Sequence, residues 1–231
     1  MKNIYTWTAQ PAKRTLTVAD LKLAKGKKKF TQVTANTIDE ASAAEKAGFD
    51  MMICQAKNVL KVREGSKHLF LTASLILNEY VTKEDVLRGA FKSLENGADA
   101  VMTPRSMEVV EMLTREDIPV MGHLGLLPQT AEKYTVQGKT KESAIQLIED
   151  AKIIVESGVF TMVLEMVTSQ VAKIITEKSS VPTIGIGSGK DCDGQVLVVH
   201  DMLGLFEKIK PKFAKRYLSL SEEIRNAVKS Y

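Results

Sequence analysis

Eight short apolar runs, separated by longer stretches of helical period, constrain this chain more than any other feature. The runs are FTQVTA (30–35), DMMIC (50–54), HLFLTA (68–73), ADAVM (98–102), PVMGHL (119–124), FTMVLE (160–165), PTIGIG (182–187) and QVLVV (195–199). Between them lie amphipathic stretches such as TIDEASAAEKAG (37–48), TKEDVLRGAFKSLENG (82–97) and TKESAIQLIEDAKIIVESG (140–158). Thr37 is followed three residues later by Glu40, and Thr82 by Asp85, as helix N-termini require. Gly48, Gly97 and Gly158 then stand where a helix ends in a left-handed residue. Strand, capped helix and glycine stop, repeated, make βα units around a parallel sheet. Eight strands predict a closed (β/α)8 TIM barrel of the α/β class rather than an open doubly wound sheet. No GxGxxG opens the first helix, which argues against a dinucleotide site there.

Some segments depart from the rhythm. QAKNVLKVREGSK (55–67) is short for a full crossover helix. Residues 125–139 form a long polar stretch suited to a lid or an active-site wall. The chain is read as one barrel domain over 1–231 with N-terminal and C-terminal helical extensions, the tail PKFAKRYLSLSEEIRNAVKSY packing outside the barrel.

Composition narrows the partners. Lys and Arg number 32 against 28 Asp and Glu, both signs spread along the chain, for a net charge of +4. That is a mild bias towards anionic ligands, not a nucleic-acid footprint. The densest basic run, KGKKKF (25–30), reads as a solvated helix-to-strand turn. Cys54 and Cys192 make neither a disulfide framework nor a zinc site, and fit a reducing cytoplasm. MKNIYTWTAQPAKR lacks the apolar core of a signal peptide, and no apolar run is long enough to span a membrane.

The C-terminal ends of barrel strands carry the chemistry of this fold. Glu165 ends the sixth run, alone among Met, Val and Leu. A carboxylate there is costly unless paired, hydrogen-bonded or protonated. It is a general base and acid for a substrate, or half of a buried ion pair with a Lys or Arg of a neighbouring strand. His123 ends the fifth run and could orient a substrate oxygen. Ser74 follows the third and Lys57 the second. GIGSGKDCDG (185–194) could cradle a phosphate, but it lacks GK[ST] and reads better as a tight connection. His200 and Asp201, adjacent on a presumed strand, would point to opposite faces and read as structural.

Six ordered motifs then add up. GHLGLLPQT (122–130), YTVQGK (134–139), MVLEMV (162–167), VPTIGIGSG (181–189), DGQVLVVHD (193–201) and PKFAKRYL (211–218) closely resemble those of the ketopantoate hydroxymethyltransferase family. The match is dense from about Pro119 onward. The resemblance implies a barrel of the phosphoenolpyruvate/pyruvate superfamily type and a homo-oligomer. It implies transfer of a one-carbon unit from 5,10-methylenetetrahydrofolate to C3 of α-ketoisovalerate, through a metal-polarised enolate. It also implies Glu165 as the base and His123 as a substrate contact.

The N-terminal half departs from that family's pattern. Where the family has GDSLG, this chain has QAKNV with Ala56 and Lys57; where it has ADLPF, ASLIL with Ser74. A VKIEGG-like pattern becomes VMTPRS, with Met102 and Pro104, and TAYD becomes TANT. Mg²⁺ is held by carboxylate oxygens, so an orthodox magnesium site is not expected. An enolate still needs positive charge beside its oxygen, for which Lys57 and Arg105 are the candidates. Two further readings follow: a metal-independent aldol-type enzyme acting on another 2-oxo acid, and a non-catalytic oligomeric homologue.

Overall fold

The computed structural model describes residues 1–207 and 210–231. β1 (Lys2–Tyr5) and β2 (Pro11–Arg14) form an antiparallel hairpin, followed by α1 (Val18–Leu23). Strand and helix then alternate through β3 (Phe30–Thr34), α2 (Ile38–Lys46), β4 (Met51–Gln55), α3 (Val59–Gly65), β5 (Phe70–Ser74), α4 (Lys83–Glu95), β6 (Ala100–Met102) and α5 (Met107–Arg115). They continue with β7 (Val120–Gly125), α6 (Lys141–Glu156), β8 (Thr161–Glu165), α7 (Ser169–Lys178), β9 (Thr183–Ile186) and β10 (Gly194–Leu197), and end with α8 (Val199–Leu203) and α9 (Leu220–Ser230). β3 to β10 close into one barrel, all parallel, with β10 paired to both β9 and β3. All eight apolar runs are therefore strands of one (β/α)8 barrel.

The local signals act as their chemistry requires. Thr37 and Thr82 each accept a hydrogen bond from the third residue of their helix, and Glu40 and Asp85 return it to the cap. Gly48, Gly97 and Gly158 all have positive φ. The amino terminus differs from the helical expectation by opening as a hairpin. Two four-residue strands are too short to show a period in sequence.

Alternation along each strand separates two cores. Met51 and Ile53, Phe70, Met102, Met121, Val163, Ile184 and Val196 point to the barrel axis and fill its interior, with Leu21 of α1 packed among them. Met52, Leu71, Val101, Val120, Met162 and Leu164 point outward against the helices.

Buried carboxylates fasten the barrel where strands begin. Asp193, 2% exposed, precedes β10 and accepts from Lys25 Nζ at 2.6 Å, Gly26 N at 3.0 Å and Thr183 N at 2.9 Å. It thus joins the α1–β3 turn to the start of β9 across the closing seam. The basic run 25–30 is therefore not simply solvated: Lys25 belongs to this pair. Asp99, before β6, takes Arg14 Nε at 2.8 Å, the Arg63 guanidinium, and Leu71 N at 2.9 Å. Arg14 also donates to the Lys67 carbonyl at 2.9 Å, so the hairpin is bolted to the barrel floor.

Removing one partner of a buried pair leaves the other uncompensated. Asp193→Ala should lower the unfolding free energy by about 3–5 kcal/mol. Lys92→Ala, which breaks the exposed pair with Glu95, should cost less than about 1 kcal/mol. Urea unfolding followed by circular dichroism checks both, and equal costs would contradict the role given to the seam.

Candidate active site

Glu165 closes β8 facing inward, two residues beyond the interior Val163. Its backbone is fixed on both sides. Leu126 N donates to the Glu165 carbonyl at 2.8 Å, and Met166 N to the Ile186 carbonyl at 2.8 Å. The buried Ser188 hydroxyl donates to the Leu164 carbonyl at 2.7 Å and accepts from Val167 N at 3.0 Å. GIGSGKDCDG is thus a structural connection that clamps the end of β8. Opposite Glu165 stands Gly125, with φ +91°, where a Cβ would lie 2.2 Å from the Glu165 carbonyl oxygen. A side chain there would push the two strand ends apart.

The residue after Glu165 is strained. Met166 has φ +49°, a left-handed conformation that costs a non-glycine residue about 1–2 kcal/mol. Its carbonyl accepts from Gln137 N at 2.7 Å, which draws the long stretch 126–139 to the barrel mouth.

His123, on β7, points inward two residues beyond Met121. Its Nε2 lies 3.0 Å from Glu165 Oε2. With the carboxylate ionised, Nε2–H is the donor, which fixes the tautomer. The two side chains keep 7% and 17% of their exposure, so the pair is largely shielded but reachable. The glutamate's partner is therefore a histidine rather than a Lys or Arg of a neighbouring strand.

The mouth opens into a cavity of about 1070 Å³, walled by Leu126, Tyr134, Ile186, Phe206 and Phe213, with Glu165 on its lining. Lys212, Arg225 and Asp201 also reach it. The expectation that Asp201 is structural assumes that residues 200 and 201 lie on a strand. They lie on α8 instead. His200 Nε2 turns to Glu40 Oε1 at 3.2 Å, while Asp201 faces the cavity. Burial pushes the Asp201 carboxyl above its ordinary value, opposed by the charges of Arg216 and His200.

The other expected residues are placed unequally. Ser74 ends β5, 8% exposed, on the inward side of its strand. Its hydroxyl has no hydrogen-bond partner among the described residues. β5 and β7 are alternate strands, which share a layer of inward side chains in such a barrel, so Ser74 and His123 face the same end of the interior. Lys57 and Arg105 are not on the lining of the Glu165 cavity. The Lys57 ammonium is largely exposed and paired with Glu79. The Arg105 guanidinium donates through Nη2 to the Leu77 and Tyr80 carbonyls in the loop after β5, while its buried Nε has no hydrogen-bond partner among the described residues. Both cations find their oxygens in one neighbouring loop, between β5 and α4.

The positions compared with metal ligands offer a poor donor set. Ala56 is buried without a ligand atom, and Met102 and Pro104 have none suited to a hard cation. Among the described residues no group of three or more His, Cys, Asp or Glu could hold a metal ion. Also among them, no helix is long and apolar enough to cross a membrane.

Comparison with known proteins agrees with this architecture. The ketopantoate hydroxymethyltransferase family model matches residues 55–231. A 3-methyl-2-oxobutanoate hydroxymethyltransferase of Nitrosopumilus maritimus is 43% identical over 235 residues, covering 90% of this chain and 84% of that protein. Its namesake from Kosmotoga olearia is 41% identical over 235 residues, covering 90% and 88%. Among solved structures, phosphoenolpyruvate phosphomutase from Streptomyces platensis superposes with a TM-score of 0.65 at 12% identity, covering 93% of this chain and 88% of that one. 2,3-Dimethylmalate lyase, a PEP mutase/isocitrate lyase superfamily member, gives 0.58 at 10% identity, covering 93% and 99%. At such identities the structural likeness is one of fold.

Neither cysteine belongs to this site; both are buried and free. Burial pushes the Cys54 thiol up to about 12, against about 8.5 in an unfolded chain. Its contribution to stability is therefore intact below about pH 8.5 and is lost as pH climbs towards about 12. Iodoacetamide at pH 8 should leave Cys54 unmodified in the native protein and alkylate it readily in urea, as read by peptide mass spectrometry. Equal labelling in both states would show an accessible thiolate.

Proposed function

This chain belongs to the ketopantoate hydroxymethyltransferase family, and we propose that it makes the enolate of a 2-oxo acid such as α-ketoisovalerate and adds a hydroxymethyl unit to it, with 5,10-methylenetetrahydrofolate as the one-carbon donor. The observation that carries this reading is the Glu165–His123 pair at 3.0 Å, shielded at the barrel mouth. Glu165 takes the C3 proton of the bound acid, and the electron pair passes through C2 to the carbonyl oxygen. Water breaks the two C–N bonds of the donor's methylene group, releasing formaldehyde and the tetrahydro carrier. The enolate carbon then adds to the formaldehyde carbon, and the resulting alkoxide takes the proton back from Glu165 to give the hydroxymethyl product.

His123 holds the carboxylate in one orientation before proton transfer. Once Glu165 is protonated, the imidazole N–H is free to turn to the new oxyanion. Ser74 adds an unused hydroxyl at the same end of the barrel. Donors already in place stabilise developing charge without reorganising at the moment of reaction. Lys57 and Arg105 are not assigned this work, since their partners lie elsewhere. With them goes the support for the aldol-type alternative that relied on those cations. Because the donor set does not suit Mg²⁺, no step is assigned to a metal.

The chain is further proposed to form a homo-oligomer. Ile224 and Val228, four residues apart on α9, are 48% and 70% exposed, and Tyr217 and Leu218 are exposed nearby. A stripe of that kind is a common mark of a protein interface.

Enolisation can be followed as exchange of the C3 proton of α-ketoisovalerate in D₂O by NMR. Glu165→Gln keeps the shape but cannot accept the proton, and should slow exchange by about 10²–10⁴-fold. EDTA should leave the parent rate unchanged. Collapse in EDTA with recovery in Mg²⁺ would overturn the metal-free reading, and a parent protein that exchanges nothing would favour the non-catalytic homologue. Separately, light scattering at micromolar concentration should give a mass of at least two chains; a monomer would dismiss the proposed assembly.

A further inference from the structure

We infer that Asp201 is a specificity-determining residue for the one-carbon donor: its carboxylate accepts the paired N–H groups along the aminopyrimidine edge of a reduced pteridine. The inference rests on the function proposed above and assigns a residue to the second substrate.

Three carboxylates, Glu165, Asp201 and Glu207, line one cavity; Glu207 is paired with Arg225 and Glu165 with His123, which leaves Asp201. A 2-oxo acid in its ionised form presents oxygens alone, all acceptors. It gives a second carboxylate nothing to bind and is repelled by it. The Asp201 carboxylate lies in the field of Arg216 and His200 but is bonded to neither. Among the described residues it accepts no hydrogen bond and joins no ion pair, whereas Asp20, Glu40, Glu45, Asp99 and Asp193 are each engaged. A half-buried acceptor of this kind calls for a ligand rich in donors.

The 2-amino-4-oxo edge of a pteridine offers two parallel N–H donors, a spacing that matches the two oxygens of one carboxylate. Its flat rings suit walls made of Tyr134, Phe206 and Phe213. The cavity, at about 1070 Å³, is far larger than a five-carbon acid fills. The carrier must also share this space, because its one-carbon unit has to meet the carbon deprotonated by Glu165.

Asp201 is held in place for this task. Val199 N donates to Thr34 Oγ1 at 3.0 Å, His200 is tied to Glu40 at 3.2 Å, and Tyr217 N donates to the Met202 carbonyl at 2.8 Å. The short helix is thus fixed to the end of β3 and to the tail, and Asp201 sits between these anchors. Burial raises its carboxyl, as it should where a charge awaits its donors.

The test is calorimetric titration with tetrahydrofolate, which lacks the transferable carbon, and with its 2-desamino analogue. The parent protein should bind tetrahydrofolate about 10–100-fold more tightly than the analogue, the worth of a hydrogen bond to a charged group. Asp201→Asn should bind the two alike and tetrahydrofolate about 10–100-fold more weakly than the parent does. Discrimination by the unaltered protein does not depend on how the variant folds. Equal binding of both ligands by the parent, no binding of either, or an Asp201→Asn variant as tight as the parent would each overturn the assignment. Proton exchange at C3 without folate is read separately. Exchange without discrimination sinks the role of Asp201 and leaves the enolisation reading standing. Discrimination without exchange does the reverse.

Discussion

Close packing of the barrel interior is the constraint from which the position of the chemistry follows. Side chains such as Met51, Phe70, Met121, Val163 and Ile184 fill the axis, and an ionised group among them would be desolvated with no partner. Charge is admitted at the two ends. Where strands begin, Asp99 and Asp193 are saturated by guanidinium, ammonium and backbone donors. Where strands finish, Glu165 has His123 and an open cavity before it. The saturated acids can do no more than hold the fold. Those at the mouth have capacity left for a ligand.

Much of this was legible in the sequence because it depends on local chemistry. Apolar runs bounded by caps and glycines gave each strand its place, and strand ends gave the mouth. Glu165 stood out as the one carboxylate on an otherwise apolar strand, with His123 at the end of the strand beside it. What could not be read depends on contacts between distant residues. Nothing near Lys57 announces Glu79 as its partner, and nothing near Arg105 announces the carbonyls of residues 77 and 80. Residues 200 and 201 lie on a five-residue helix, too short to show a period in sequence, so the strand alternation applied to them does not hold. Lys25 looked like one of several surface lysines until the seam brought Asp193 to it.

Similarity to the relatives runs through most of the chain, while the strand ends contribute unequally to the mouth. On one arc Glu165 is positioned by Gly125, which lets β7 and β8 meet, by the Ser188 clamp and by the bond from Gln137. On the opposite arc of the mouth, β4, β5 and β6 end in Gln55, Ser74 and Met102, none of them charged. A barrel allows this because each strand end contributes independently to a shared centre.

The seam also says something about assembly in time. Lys25 and Asp193 are separated by 168 positions in sequence, and β3 pairs on one side with β4 and on the other with β10. The entropy of closing so long a loop is met before its hydrogen bonds are gained, which places this chain among slow, topologically demanding folders. β10 is the one strand that joins β9 to β3, so a sheet of β3 to β9 without residues 194–197 has both lateral edges open. Such edges can pair with any strand that passes, including one from another copy.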